Sequence, residues 1–126
     1  MLSKNKVVGK TRKALELLYD GLCDVIEHKK ARKADGSTGF SEVVVLEKQP
    51  CRLSFKTIYN TEIQSNSATL AKQAVTLFIA PELSIRAGSK IVVTQNSIST
   101  AYKSSGTPAM YSTHQEIPLE LFERWA

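Results

Sequence analysis

The sequence predicts a mainly β fold: a small antiparallel β-barrel of about seven or eight strands, with a short N-terminal α-helix and a long polar inter-strand loop. Three observations carry this expectation. Helical periodicity is confined to residues 10–20, where Ala14, Leu15, Leu18 and Tyr19 recur at helical spacing. From residue 21 onward the chain changes to short alternating or β-branched runs, separated by turn signals at close, regular spacing. The length of 126 residues and a hydrophobic share of 42% suit one domain with its own core. The expected organisation is a basic arm and helix over residues 1–20 and a single β-domain over 21–126, with the long loop at 59–72.

In chain order, Thr11 is placed to cap the helix, and Asp20-Gly21 to end it, with Gly21 suited to the left-handed position after the last turn. A helix of about three turns is marginal alone, so it must dock on something. Residues 22–30 form the first expected strand. Residues 31–39 turn the chain, Asp35-Gly36 being the strongest signal. Residues 40–46 follow, with three consecutive valines at 43–45 favouring a strand. In residues 50–58, Cys51, Leu53 and Phe55 share one face and Arg52, Ser54 and Lys56 the other, which places Phe55 in the core. Pro50 fits a strand start or an edge.

Residues 59–72 are polar, lack Gly and Pro, and carry only Glu62 and Lys72 as charges. A connection of about 14 residues is long for a compact domain. Residues 75–80 are the best buried strand, stopped by Pro81-Glu82. Residues 90–95 and 98–103 pair across an Asn96-Ser97 hairpin turn. Residues 104–108 are a loop, 110–115 a strand, and 116–122 a final strand in which Pro118 again argues for an edge or bulge.

The formal charge of +5 is unevenly placed. Residues 1–33 hold nine of the 17 Lys and Arg and four of the 12 acidic residues, and the rest of the chain is neutral. A uniformly basic, nucleic-acid-coating surface is therefore not expected. No apolar run reaches about 18 residues, so no membrane span is expected. The positive N-terminus lacks an apolar segment behind it, so secretion by a signal peptide is not expected either.

No catalytic constellation emerges. His114 and Glu116 share a strand face, but no nucleophile or third orienting group accompanies them. Gly36, Gly39, Gly88 and Gly106 are isolated turn glycines and make no phosphate-cradling loop. Cys23 and Cys51 fall in separate strands and read as two half-buried free thiols, with a cross-strand disulfide or a metal as alternatives. No enzyme activity, cofactor or metal site is expected. The basic arm, through Lys10, Arg12 and Lys13, either contacts phosphate or an acidic protein surface or is a solvated helix face. Phe122 and Trp125 either cap the core or anchor a partner.

The runs PCRLSFKTI (50–58), KQAVTLFIAPELSIRAGSKIVVTQ (72–95) and AYKSSGTPAMYSTHQEIPLELFE (101–123) resemble the head-closure, or stopper, proteins of tailed bacteriophages, in particular those of Firmicute phages and PBSX-like defective prophages. The resemblance runs from about Tyr19 to Ala126 and is carried by strand-and-turn texture, such as the Ala80-Pro81 strand end, rather than by a catalytic signature. It implies a virion protein of the head–tail interface, assembled in the bacterial cytoplasm as a homo-oligomeric ring (hexamer or dodecamer). Its partners would be the portal and adaptor on one side and the tail or tail terminator on the other. Packaged double-stranded DNA would pass through its lumen, with no membrane involved.

The resemblance implies that a long loop between strands can project into the channel. Here Asn60, Thr61, Glu62, Gln64, Ser65, Asn66 and Ser67 are the candidates, on length and polarity. Strand edges near Pro50 and Pro118 are expected to pair between subunits. The alternative is a small-barrel nucleic-acid-binding module using the basic N-terminal arm. Such a module would hold free DNA, with affinity falling steeply as salt rises.

Overall fold

The computed structural model describes residues 4–59 and 71–125. Among the described residues, one helix, α1 (Lys4–Glu16), precedes seven strands: β1 (Gly21–Arg32), β2 (Thr38–Tyr59), β3 (Ala71–Ile79), β4 (Lys90–Gln95), β5 (Ile98–Ser104), β6 (Ala109–Met110) and β7 (Gln115–Leu121). All strand pairs are antiparallel. The order is β3-β2-β1-β4-β5-β7-β6, and β3 also pairs with β7, so six strands close a hydrogen-bonded circuit. The mainly β, antiparallel class is as expected. The circuit is uneven, since β5 and β7 share only three residue pairs, so the sheet is ring-like rather than a uniform barrel. Val25, Cys51, Leu77, Ile79, Ile91, Val93 and Ile117 fill its interior with 0% exposure each.

The helix starts earlier than the periodicity implied. Thr11 is not its cap; it lies inside α1, and its hydroxyl donates to the Val7 carbonyl one turn back at 2.9 Å. Nor does Gly21 end the helix. It is the buried first residue of β1, and a Cβ there would stand 3.2 Å from both the Cys51 carbonyl oxygen and Gln95 Oε1. Glycine permits this close approach, and a side chain here would require the Cys51 backbone and the Gln95 side chain to give by a few tenths of an ångström. Gly21→Ala is expected to lower stability by about 1–3 kcal/mol; an unchanged denaturation midpoint would show that the neighbouring strand yields freely.

The two strands expected at 40–46 and 50–58 are one strand of 22 residues, β2. The residues between them are held by a bulge. Register shifts occur on either side of Val25, Lys48 takes φ 46°, and the Lys48 N–H donates to Asp24 Oδ1 at 2.8 Å in place of a ladder bond. Pro50 is thus inside a strand, paired with Leu22. Leu53 N–H faces the β1–β4 side, where it donates to Gln95 Oε1 at 2.9 Å. By alternation Pro50 faces the other side, past the end of β3 at Ile79, so its missing donor breaks no bond.

Pro118 is likewise not at an open edge. It pairs with Thr76 of β3, and its carbonyl accepts from Ser105 N–H at 3.0 Å on the opposite side. Its nitrogen points away from the β3 ladder, which therefore loses nothing. The strand expected at 110–115 shrinks to β6 because Tyr111 N–H bonds back to the His114 carbonyl at 2.9 Å and turns the chain. At the β4–β5 turn, Asn96 and Ser97 both have positive φ, 53° and 64°, as the hairpin signal required. The candidate loop residues Asn60, Thr61, Glu62, Gln64, Ser65, Asn66 and Ser67 lie outside the described residues, whereas Tyr59 and Ala71 are paired strand residues.

Two strand pairs run past the circuit. The β1–β4 ladder stops at Ile26↔Lys90, so, among the described residues, residues 27–32 pair only with residues 38–43 of β2. The β3–β7 ladder begins at Val75↔Leu119, so, among the described residues, residues 71–74 pair only with residues 56–59. Each overrun is a two-stranded ribbon. Phe55 lies opposite Val75 at the last β3–β7 pair, where the circuit opens. It is 51% exposed, so the expected core position is wrong: the inward-facing row of β2 outlasts the core it lines.

Candidate functional site

The basic groups of the N-terminal quarter do not form one arm. Lys4, Lys6, Lys10, Arg12 and Lys13 lie on α1, whereas Lys29, Lys30, Arg32 and Lys33 lie on the first ribbon and its turn. The sequence placed them together because they are close along the chain; the strand of acidic and apolar residues between them separates them in the fold.

On α1, Lys10 and Lys13 are exposed. Arg12, one of the candidate interface residues, is engaged by its own chain. Its guanidinium grips both carboxylate oxygens of Glu82 in the turn after β3, with the Nη2–Oε2 contact at 2.9 Å, and its Nε donates to Glu16 Oε1 at 2.7 Å. Arg52 Nη1 adds a bond to the Leu18 carbonyl at 3.3 Å. The helix is thus docked by polar contacts, while Leu17 remains 87% exposed.

The Arg12 hydrogen bonds hold the Glu82 carboxyl below its ordinary value and push the guanidinium further up. A depressed carboxyl stabilises the folded form above its unfolded value, and that contribution is lost as pH falls through the depressed one. Arg12→Ala is expected to shift global stability by less than about 1 kcal/mol but to increase amide exchange along α1. Acidification of the wild type should do the same, and equal exchange in both proteins would show that the contact does not hold the helix.

At the other terminus, Phe122 and Trp125 join a surface cluster. The Trp125 indole stacks on His28 of the first ribbon at 4.7 Å and 14°. His28 in turn meets Phe40 across the ribbon at 4.9 Å. The Trp125 N–H donates to Glu42 Oε1 at 3.2 Å, and Lys90 Nζ lies 3.5 Å from the same carboxylate oxygen. Lys90 also stands 4.8 Å above the Phe122 ring, which meets Trp125 edge-on at 5.0 Å. These aromatics brace the ribbon against the body rather than capping the core. Neither His28 nor Glu42 was singled out from the sequence; the alternation that puts His28 on one ribbon face was visible, but its distant partner was not.

Beside the tail, a groove of about 670 Å³ opens where β3 and β7 part, floored by Phe55, Val75, Tyr102, Leu119 and Leu121. Lys103, Arg124, Glu120 and Glu123 rim it with both signs of charge.

His114 and Glu116 do come together, with Nε2 and Oε2 at 2.8 Å. The His114 ring is stacked between Phe78 and Tyr111 at 5.1 and 4.8 Å, and its Nδ1 lies 2.9 Å from Thr113 Oγ1. Nε2 ties the β6 turn to Glu116 of β7, Nδ1 stays within the turn on Thr113, and the ring face packs on Phe78 of β3. Cys23 and Cys51 are free thiols buried in the core, more deeply than half-buried. Hydrogen bonding to Cys51, together with burial, pushes the Cys23 thiol well up.

No protein-family model matches the chain, and no curated protein matches it. Among solved structures, it is similar to the phage-like element PBSX protein xkdH from Bacillus subtilis, with 11% identity over 79% of this chain and 91% of that one and a TM-score of 0.48.

Proposed function

We propose that the chain is a structural protein of a tailed phage that forms a ring at the head–tail junction. There it closes the DNA channel below the portal and adaptor after packaging and offers a docking surface to the tail. Its work is assembly and retention, not bond chemistry. The observation that carries the reading is a coincidence of sequence and fold. The three runs that resemble head-closure proteins, residues 50–58, 72–95 and 101–123, correspond to the inner half of β2 together with β3, β4, β5, β6 and β7. Those segments supply most of the ring-like sheet, so the resemblance tracks the folded body rather than a peripheral stretch.

Two further features support it. The net positive charge is carried by α1 and the first ribbon, outside the circuit, which leaves the body near neutral, as a passage for DNA requires. Exposed apolar side chains at Leu17, Phe40, Ile98 and Leu121 are available to subunit contacts. Electron microscopy of the particle that carries this chain tests the reading. A ring of copies between the portal side and the tail is expected, and a location elsewhere in the particle, or none, rejects it.

A further inference from the structure

We infer that the ribbon formed by the outer halves of β1 and β2 is a contact arm for the phosphate backbone of duplex DNA, acting through Lys29, Lys30, Arg32 and Lys33. The inference stands on the ribbon's own geometry and charge and does not depend on where in a particle the chain sits. Four cations fall within five residues, all with exposed side chains. Lys29 has Glu27 at 3.7 Å, and the nearby Asp35 is turned inward on its own hairpin, accepting from the Ser37 N–H and hydroxyl at 2.9 and 2.6 Å. That acid shapes the turn; it keeps its charge, and residues 27–43 carry four cations against Glu27, Asp35 and Glu42.

The element has a suitable form. Past Ile26↔Lys90 it is two strands wide, and the major groove of B-DNA admits a two-stranded ribbon. Alternation puts Lys30 and Arg32 on one face and Lys29 on the other, so cations point toward both walls of a groove. Phe40, directly across from Lys30, is 63% exposed.

The ribbon is also held in place. Trp125 stacks on His28 and bonds Glu42, and Glu42 engages Lys90 of β4, so the C-terminal tail ties the ribbon's base to the body. A braced arm loses less freedom on binding than a free hairpin would. Trp125 is accordingly a positioning residue that touches no DNA. The lysines of α1 are the competing site. They sit on a helix whose arginine is already committed to Glu82, and Lys10 and Lys13 are three residues apart rather than part of a run of four cations in five.

A single copy with four phosphate contacts binds weakly and with a strong salt dependence. The slope of log K against log salt is expected near about −3.6, or about a 100-fold loss between 50 and 200 mM. Fluorescence anisotropy of the full chain with a short labelled duplex of mixed sequence measures this. The combined variant Lys30→Gln, Arg32→Gln, Lys33→Gln should reduce the slope to about −0.9 and lower affinity at least tenfold at the lower salt, with an unchanged thermal midpoint because all three side chains are exposed. Lys10→Gln with Lys13→Gln on α1 should leave both quantities as in the wild type. Trp125→Ala should lower affinity severalfold at an unchanged slope, since it removes the brace and no charge.

Wild-type binding by the ribbon variant overturns the inference, as does transfer of the loss to the α1 variant. Absence of salt-dependent binding of the wild type to the duplex at about 50 mM salt overturns it as well.

Discussion

Leu77→Ala is expected to lower the free energy of unfolding by about 2–5 kcal/mol, whereas Phe55→Ala should lower it by about 1 kcal/mol or less. The two residues sit on adjacent paired strands and face the same side, with Leu77 opposite Leu53 and Phe55 opposite Val75. Leu77 is 0% exposed and touches the packed interior on every side, so truncation leaves a void that the closed ladders around it cannot collapse. Phe55 is 51% exposed at the opening beside the β3–β7 fork, where water already reaches the ring. Denaturant unfolding of both variants measures the contrast. Comparable losses would mean that the core extends to the mouth and that the groove beside the tail is closed in solution.

Gln115→Leu should be nearly as damaging, by about 2–3 kcal/mol, although it replaces a polar residue with an apolar one of similar size in a buried place. Gln115 is 1% exposed, and its side-chain amide donates to the Ala80 carbonyl at 2.9 Å and the Leu83 carbonyl at 2.6 Å. That amide ties the Pro81-Glu82 turn to β7. Leucine would remove both bonds, leaving the Ala80 carbonyl only the long Leu83 N–H contact at 3.4 Å and the Leu83 carbonyl without its amide donor. Gln115→Glu would be worse at neutral pH, because a carboxylate sets further acceptor oxygens against two carbonyls. The damage should travel, since Glu82 on the same turn holds Arg12: amide exchange along α1 should rise in both variants. A Gln115→Leu variant as stable as the wild type, with α1 still protected, would show that the turn is shaped by its own backbone.

The sequence made the strands legible wherever a local rule governed them. The β4–β5 hairpin is the clearest case, with its Asn-Ser turn in two positive-φ positions and strand limits within a residue of expectation. Failures arose where partners distant in sequence decided the outcome. Pro50 reads as a boundary locally, but β2 passes through it because the neighbouring ladder has already ended on that side. Phe55 follows a correct alternation into a position that the circuit no longer encloses. Gly21 looked like a helix stop because it follows Asp20; its actual constraint comes from Cys51 and Gln95.

The candidate site shows the same division. Each cation was visible, yet residues 4–13 and 29–33 become two surfaces only once the strands are paired. Likewise, nothing local signals that Trp125 will meet His28. Gln115 looked like an ordinary polar strand residue until the turn it fastens came beside it.

Strand β2 has a mechanical meaning beyond its share of the sheet. Twenty-two residues at about 3.3 Å each amount to a beam of about 70 Å contour. One end carries the basic ribbon and the other carries the second ribbon, with the Lys48 bulge between them acting as an elbow. The two ribbons therefore share one continuous backbone, and what lies between them along it is the bulge and the stretch anchored in the core by Cys51 and Leu53.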